Sequence, residues 1–334
     1  MSGLSGVSNS NPEGSAPGGV KSSAKYSPED LLPKGNSNQF IGRDLDVSSE
    51  YLSALFYGDY GAGKSYLAGS AALVPEYRDI LYLSLEGGEG GLRQLIKDGE
   101  KLGVNVNNHV LVIPISTFKH YSNIYEFIKQ HIKFREAGDV SNLRKLEAQI
   151  RGYSVEQLQD DALLEVAIPT PKKFKTIITD SLTEAQKYCM YQILGIDPLS
   201  SKLDEEPDSA EWKDWGKSRE MIQFLVRRLR DLPINSLFIC GESFEQDAMK
   251  RMHFEPMLPG KLSNDIRGLV SCVGYLAASS TEGGETKRRL YLVKGTYGSN
   301  IIAAKHRFGD NFKGSFIEDP TMQKIRDLDS GLLL

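Results

Sequence analysis

The segment from residue 58 to residue 65 constrains this chain more than any other. It reads Gly-Asp-Tyr-Gly-Ala-Gly-Lys-Ser, with the glycine, lysine and serine spacing of a phosphate-binding loop. An apolar run over 51–57 precedes it and a helical pattern begins at Lys64, which is the context that this motif needs. The sequence therefore predicts a loop that grips the phosphates of ATP or a similar nucleotide.

Each residue type in this loop has a physical task. Glycines let backbone N–H groups approach the phosphates, and the following helix N-terminus favours negative charge. Lys64 is expected to reach the terminal phosphates, and Ser65 to coordinate Mg²⁺. The predicted nucleotide-binding residues are Gly58, Asp59, Tyr60, Gly61, Ala62, Gly63, Lys64, Ser65 and Tyr66.

The rest of the chain alternates short apolar runs with longer amphipathic stretches, which is typical of a parallel sheet covered by helices. The expected fold class is α/β, a three-layer sandwich with a mostly parallel central sheet. Predicted strands cover 51–57, 80–85, 110–115, 174–179, 236–240 and 271–277, with antiparallel edge strands over 289–293 and 301–304. Predicted helices cover 64–73, 90–102, 124–133, 142–149, 182–194, 215–231 and 263–269.

Composition sets the domain plan and excludes some classes of function. Residues 1–45 are rich in Ser, Gly, Asn and Pro and are expected to form a disordered tail followed by a strap. The ATPase core is expected over 46–314, with a helical insertion at about 136–170, and 315–334 as a C-terminal tail. A net charge of −4 excludes a uniformly basic surface, so nucleic acid would need a local patch.

Cysteine spacing and hydropathy bear on the cellular compartment. The three cysteines lie far apart without metal-ligand spacing, which favours free thiols in a reducing environment. No apolar run approaches the length of about 20 residues that spans a bilayer. The expectation is a cytoplasmic protein without a membrane partner.

A phosphate-binding loop needs an acidic magnesium ligand at the end of a neighbouring strand. The apolar run 174–179 ends at Asp180, which we assign as that ligand together with Ser65. An apolar run that ends in Asp is otherwise often only a strand leaving the core. Beside this loop, the functional interpretation is favoured.

Two further carboxylates follow predicted strands. Glu86 follows the run 80–85 and is the expected catalytic group that polarises the attacking water. The alternative is that Glu86 or Glu89 caps the next helix. Glu242 follows the run 236–240 and is a candidate sensor of the γ-phosphate, with a solvated loop residue as the alternative. Ligands collect at the carboxyl ends of strands in open α/β sheets, which motivates both assignments.

The order of these elements resembles the RecA-type ATPase core, and more closely a phage-associated family of compact RecA-like ATPases linked to single-strand annealing and recombination. Short phrases between about residues 52 and 309 carry the resemblance. They are Thr-Asp-Ser-Leu-Thr-Glu at 179–184, Trp-Gly-Lys at 215–217, Leu-Arg-Asp-Leu-Pro at 229–233, Leu-Pro-Gly-Lys-Leu at 258–262, Val-Gly-Tyr-Leu at 273–276 and Ala-Lys-His-Arg at 304–307.

The resemblance implies that a Lys-x-Arg pair on a late strand reaches the nucleotide of a neighbouring subunit. Lys305 and Arg307 match that pattern and are assigned a catalytic role in trans, within a homo-oligomeric ring or filament. The alternative is a pair of basic residues that protects an edge strand from pairing.

The resemblance also implies DNA contacts on the loops that follow the Asp180 and Glu242 strands. The second loop supplies the nucleic-acid candidates Lys250, Arg251, His253, Phe254 and Lys261, which mix cations with a ring that can stack on a base. Nearby Glu245, Asp247 and Glu255 dilute the charge, and the acidic stretch 196–212 argues against DNA on the first loop.

The resulting expectation is a Mg²⁺-dependent ATPase, stimulated by single-stranded DNA, that acts in phage-type recombination, annealing or replication with other phage proteins. One alternative is an assembly or scaffolding protein that uses nucleotide as a clamp and hydrolyses it little. Another is a ring-forming helicase or packaging motor. A small-metabolite kinase is disfavoured because no Arg-rich lid follows the core.

Overall fold

A computed structural model describes residues 51–87, 89–201, 209–280, 284 and 286–331. The predicted disordered tail and strap over 1–45 lie outside these residues, as does the acidic run 202–208. The described residues belong to one unit, Ser48–Leu334. Among them, no helix combines the length and apolar character needed to cross a membrane.

The described strands follow the predicted apolar runs, with additions after residue 240. They are β1 Ser53–Tyr57, β2 Ile80–Ser84, β3 Val110–Pro114, β4 Thr176–Asp180, β5 Asn235–Cys240, β6 Glu242–Gln246, β7 Met252–Pro256, β8 Cys272–Ser280, β9 Thr286–Tyr291, β10 Gly295–Tyr297, β11 Asn300–Ile302 and β12 Phe316–Glu318.

The described α-helices also match the periodic segments. They are α1 Lys64–Gly69, α2 Arg93–Lys101, α3 Phe118–Glu136, α4 Val140–Ile150, α5 Val155–Gln159, α6 Asp161–Ala167, α7 Leu182–Ile193, α8 Trp212–Arg230, α9 Leu262–Leu269 and α10 Met322–Asp329. Two of the predicted helices divide, since the segment 64–73 ends as a 3-10 turn over Ser70–Leu73 and the segment 90–102 begins with one over Glu89–Leu92.

The main sheet has the strand order β12-β9-β8-β1-β5-β4-β2-β3. Strands β8, β1, β5, β4, β2 and β3 are parallel, and β9 and β12 extend the sheet antiparallel at one edge. Strand β5 separates the phosphate-loop strand β1 from the Asp180 strand β4. The predicted α/β class, mostly parallel with antiparallel strands at the edge, is confirmed.

Both faces of the central strands are buried, which explains their continuous apolar runs. Successive side chains point to opposite faces, so Leu55 and Tyr57 join one core cluster while Ala54 and Phe56 join the other. Helices α3, α7, α8 and α9 contribute to the first cluster, and α1, α2 and α10 to the second. This is the expected three-layer sandwich.

A second sheet, β10-β11-β7-β6, corrects two expectations. The segment 301–304 was expected as an edge strand of the core, but β11 pairs parallel with β7 and antiparallel with β10. The segment after Glu242, expected as a loop, forms the β6–β7 hairpin. The rings of Phe244 and Phe254 face each other across this hairpin with centroids 6.0 Å apart, a cross-strand pair that favours the pairing.

The C-terminal segment differs from the tail that was expected over 315–334. Strand β12 pairs with β9, and α10 buries Met322, Ile325 and Leu328 in the second core cluster. These apolar residues recur every three positions and therefore share one helix face. A strand of three residues carries too little periodicity to be recognised alone, which is why the segment was not assigned to the core.

The insertion over 136–170 lies on α4, α5 and α6 after the end of α3, and contains no strand. Ala148, Leu164 and Ile168 form a small apolar cluster of their own. The segment therefore packs as a helical satellite and does not extend the sheet.

Candidate nucleotide-binding site

The phosphate loop connects β1 directly to α1. A side chain at Gly58 would place its Cβ 2.2 Å from the carbonyl oxygen of Leu276, so the close approach of β8 requires glycine. Gly63 has φ 100°, and a Cβ there would lie 2.8 Å from Nε of Arg288. Both glycines therefore hold the loop in a conformation that a side chain would block.

Lys64 bends back over its own loop. Its Nζ donates to the carbonyl oxygens of Gly58 at 2.9 Å and Asp59 at 2.8 Å. Burial lowers the pKa of Lys64, and the nearby carboxylates of Asp180 and Glu86 oppose that effect. The ammonium group thus lies among acceptors that an incoming phosphate can replace.

Ser65 and Asp180 meet as the magnesium assignment requires. Ser65 Oγ donates to Asp180 Oδ2 at 2.6 Å, and Asp180 is only 6% exposed at the end of β4. The hydroxyl of Tyr82, on the adjacent strand β2, donates to the same carboxylate oxygen. No sequence motif marks Tyr82, because its contact with Asp180 depends on the register between β2 and β4.

This donor set fits Mg²⁺. A hydroxyl and one carboxylate are typical protein ligands where phosphate oxygens and water complete the shell. Among the described residues, no group of three or more His, Cys, Asp and Glu side chains forms an alternative metal cluster. Ser65 and Asp180 are therefore the residues that would hold the ion.

Glu86 follows β2 and lines the same cleft as Lys64, Ser65 and Asp180. The pairing of β2 with β4 fixes this position, since Leu85 N donates to Asp180 O at 2.7 Å. Ser181 Oγ donates to the Glu86 carboxylate. Ser181 thus holds the exposed Glu86 carboxylate in the lining of this cleft.

Glu242 is the first residue of β6 and is half-buried. Its Oε2 atom is buried without a hydrogen-bond partner. Burial raises the pKa of Glu242, while a hydrogen bond with Tyr275 and the charge of Lys64 oppose the shift. Glu242 does not line the cleft that contains Lys64, so its role as a sensor of the γ-phosphate stays a prediction.

Lys305 and Arg307 do not line the phosphate cleft of their own chain. Lys305 forms an isolated bridge with Val273, and its Nζ lies 3.5 Å from Gly268 O. Burial and the charge of Arg307 lower the pKa of Lys305. Arg307 is exposed. The predicted contact of this pair with a nucleotide of a neighbouring chain stays a prediction.

The predicted nucleic-acid residues divide between the β6–β7 hairpin and α9. Lys250 is exposed in the hairpin turn with φ 61°, while Lys261 is exposed just before α9. Arg251 Nε and His253 Nε2 lie 2.8 and 3.0 Å from the same Asp247 Oδ2. These contacts hold the pKa of Asp247 well below its usual range, His253 contributing most.

The Phe254 ring packs against other rings of the protein, whereas base stacking would need an accessible ring. Its ring packs 5.4 Å from that of Tyr275 and also against Phe244, and its carbonyl accepts from the Tyr57 hydroxyl at 3.0 Å. Phe244, across the hairpin, is 60% exposed. The ring available to a partner is therefore that of Phe244, which the sequence analysis did not select.

The cleft extends beyond the predicted residues and has a volume of about 610 Å³. Arg288 on β9 lies beside the loop, where its Nε donates to Ala62 O at 3.1 Å. Among the further lining residues that the sequence analysis missed are Gln94, Asp98, Arg288, Asp319, Pro320 and Thr321. No motif marks them, because strand order and the docking of the C-terminal segment bring them to the loop.

The sheet and the loop geometry together define a P-loop ATPase by class. Residues 50–308 match a family described as an AAA domain, and the chain belongs to that family. Among solved structures, the crystal structure of the RadB recombinase matches with 14% sequence identity and a TM-score of 0.38, over 80% of this chain and 84% of that one. The comparison with curated proteins gave no match.

Proposed function

We propose that this protein binds and hydrolyses ATP with Mg²⁺. The observation that carries the proposal is the 2.6 Å contact between Ser65 Oγ and Asp180 Oδ2, beside Lys64 and in a cleft that Glu86 also lines. A hydroxyl, a carboxylate, an ammonium group and a second carboxylate are the groups that phosphoryl transfer to water requires.

Each group has one task in this proposal. The loop amides and Lys64 bind the phosphate oxygens, and Lys64 exchanges its contacts with Gly58 and Asp59 carbonyls for the phosphates. Ser65 and Asp180 hold Mg²⁺, which when bound neutralises phosphate charge. Glu86 orients a water molecule and accepts its proton, while Ser181 holds the Glu86 carboxylate in place.

We also propose single-stranded DNA as a partner, and a role in phage-type recombination, annealing or replication in the host cytoplasm. This rests on the sequence resemblance to compact phage RecA-like ATPases and on the side chains of the β6–β7 hairpin. Lys250 is exposed at its turn, and the exposed ring of Phe244 offers a surface for base stacking. Phe244 takes the stacking role that the sequence favoured for Phe254.

A homo-oligomer with catalysis in trans is part of the same proposal. Its support is that Lys305 and Arg307 lie away from their own cleft, so they are free to face another chain. Mixing Lys64→Ala with Arg307→Ala chains should restore ATPase activity, because mixed interfaces pair an intact loop with an intact arginine. Sedimentation must show normal assembly of both variants, and no recovery in the assembled mixture would contradict catalysis in trans.

A nucleotide clamp with little hydrolysis is the second candidate. The observation that favours it is the hydrogen bond from Ser181 to Glu86. This bond engages the carboxylate that the ATPase proposal assigns as the base. In a clamp, this contact would persist with ATP bound and hold the Glu86 carboxylate out of reach of the attacking water.

Steady-state ATPase assays with and without single-stranded DNA separate these candidates. For the ATPase, turnover requires Mg²⁺ and rises several-fold with DNA. Glu86→Gln should lower kcat by about 100-fold, within the usual range for loss of a general base, and retain ATP binding. Tight ATP binding with negligible turnover in both conditions supports the clamp, and turnover insensitive to DNA argues against the DNA proposal alone.

A further inference from the structure

The cleft is longer than the phosphate site. The phosphate loop, Ser65, Glu86 and Asp180 form one part of its lining, and the other lining residues come from α1, the segment 91–98, strands β8 and β9 and the segment after β12. Its volume of about 610 Å³ falls within the range of about 300–1,000 Å³ usual for small-molecule sites. The cleft therefore has room next to the phosphate site for another part of the ligand.

One side of this extra space is a helical wall, made of Tyr66 on α1 with Gln94 and Asp98 on α2. The Tyr66 hydroxyl donates to Asp98 Oδ2 at 2.9 Å, and Gln94 Nε2 donates to Asp98 Oδ1 at 3.1 Å. Burial, followed by the contact with Asp98, raises the pKa of Tyr66 to about 12, so the ring stays neutral. These bonds fix a flat phenol ring at the edge of the cleft.

The other side is a C-terminal wall, made of Arg288, Asp319, Pro320 and Thr321. Arg288 is tied to the phosphate loop through its side chain and to the C-terminal segment through its backbone. Its carbonyl accepts from Asp319 N at 2.9 Å, and its own N–H donates to Asp319 Oδ1 at 3.4 Å. The segment after β12 is thereby joined directly to the edge of the cleft.

Only part of this C-terminal wall lies within the domain that the family shares. The family match ends at residue 308, whereas Asp319, Pro320 and Thr321 come after it. The next helix, α10, buries Met322, Ile325 and Leu328 in the core and so anchors the segment 319–321 that precedes it. The segment that follows the AAA domain therefore completes a site that begins within that domain.

We propose that the helical wall and the C-terminal wall hold the nucleoside of the bound triphosphate, so that the segment after residue 315 recognises the ligand. The inference rests on the proposed ATP binding. The planar guanidinium of Arg288 is suited to stacking on a base, and the Tyr66 ring offers an apolar edge. The exposed Asp319 carboxylate is an acceptor for a ribose hydroxyl or a base amino group.

Photoaffinity labelling of the intact protein with an azido-adenine ATP analogue tests this placement. Tryptic cleavage after Lys313 and Lys324 isolates residues 314–324, which contain Asp319, Pro320 and Thr321. The expected result is covalent label on this peptide that excess MgATP prevents. Saturable label confined to peptides without any residue of the two walls would overturn the inference.

A binding comparison gives a second, independent test. Arg288→Gln should weaken MgATP about 10-fold relative to Mg-tripolyphosphate, because only the former carries a nucleoside. The matched control is Arg289→Gln, since neighbouring strand residues point to opposite faces and Arg289 pairs with Glu318 outside the cleft. An unchanged ratio in a folded Arg288→Gln variant contradicts the assignment.

The same titrations separate this inference from the function on which it depends. If wild-type protein binds neither MgATP nor Mg-tripolyphosphate, the phosphate site itself is wrong and the inference fails with it. If both bind and Lys64→Ala abolishes both, while label and ratio do not implicate the C-terminal wall, only the nucleoside placement is wrong.

Discussion

The phosphate cleft and the β6–β7 hairpin carry similar side chains but differ in how their neighbours use them. In the cleft, Lys64, Ser65 and Asp180 converge on one volume because the loop and the ends of parallel strands place them there. In the hairpin, Arg251 and His253 both face Asp247. Side chains form a site when the backbone brings them to one place. Basic residues that are merely close in sequence can instead pair with a nearby carboxylate.

Aromatic residues show the same difference. Tyr82 donates to the Asp180 carboxylate and so supports the predicted chemistry. Phe254 instead packs between Phe244 and Tyr275, which removes much of its ring from solvent. A motif that specifies backbone geometry therefore predicts which candidate site residues lie together better than a count of rings and cations does.

The largest expected effect is on nucleotide binding in the phosphate cleft. Lys64→Ala should weaken MgATP binding by about 100-fold, because it removes charge-assisted bonds of about 1.5–3 kcal/mol to the phosphates. Isothermal titration calorimetry measures the change, with the exposed α2 residue Lys97→Ala as a control outside the cleft. Unaltered affinity in folded Lys64→Ala protein would remove the phosphate-loop assignment.

A smaller effect is expected at the hairpin. Lys250→Glu combined with Arg251→Glu should weaken single-strand binding about 10-fold at low salt and reduce the salt slope by about 1, because phosphate contacts release counterions. Fluorescence anisotropy across a salt series measures both quantities. The matched control is Lys129→Glu with Lys133→Glu, an equal charge reversal on α3.

Removing the neutralising carboxylate sharpens the same test. Asp247→Asn should strengthen single-strand binding several-fold, since it releases Arg251 and His253 from their shared partner. Equal binding by the Asp247→Asn and the double charge-reversal proteins would move the DNA site away from this hairpin.

The smallest expected effect concerns Glu242, at the junction of the two regions. Its pKa is raised by burial, so its contribution to stability is present below the ordinary value of 4.5 and is lost as pH rises through the folded-state value. Glu242→Gln keeps the neutral form at every pH. The variant should match wild type in Tm near pH 4 and exceed it by about 1–2 °C near pH 8.

Thermal denaturation at both pH values, with Glu245→Gln as an exposed control on the same hairpin, measures this difference. A Glu242→Gln variant that is less stable than wild type at pH 8 would show that the ionised carboxylate stabilises the fold, contrary to the burial argument.

Local sequence was enough to predict much of the fold and the centre of the site. Residues 58–65 specify a loop and helix start through glycine conformation and helix polarity, and buried parallel strands need the continuous apolar runs that the chain displays. Asp180 and Glu86 followed from the rule that ligands meet at strand carboxyl ends. The loop and the strands are short-range properties, and the contact of Asp180 with Ser65 follows from the general geometry of parallel sheets.

Tertiary structure alone decided which distant segments meet. It brought Arg288 and Asp319 to the phosphate loop, paired β11 with β7 and docked α10 on the core. Each outcome depends on strand order and on side-chain contacts between segments that are distant in sequence. The local sequence of one segment does not indicate its partner, because packing and charge pairing form only when the chain folds.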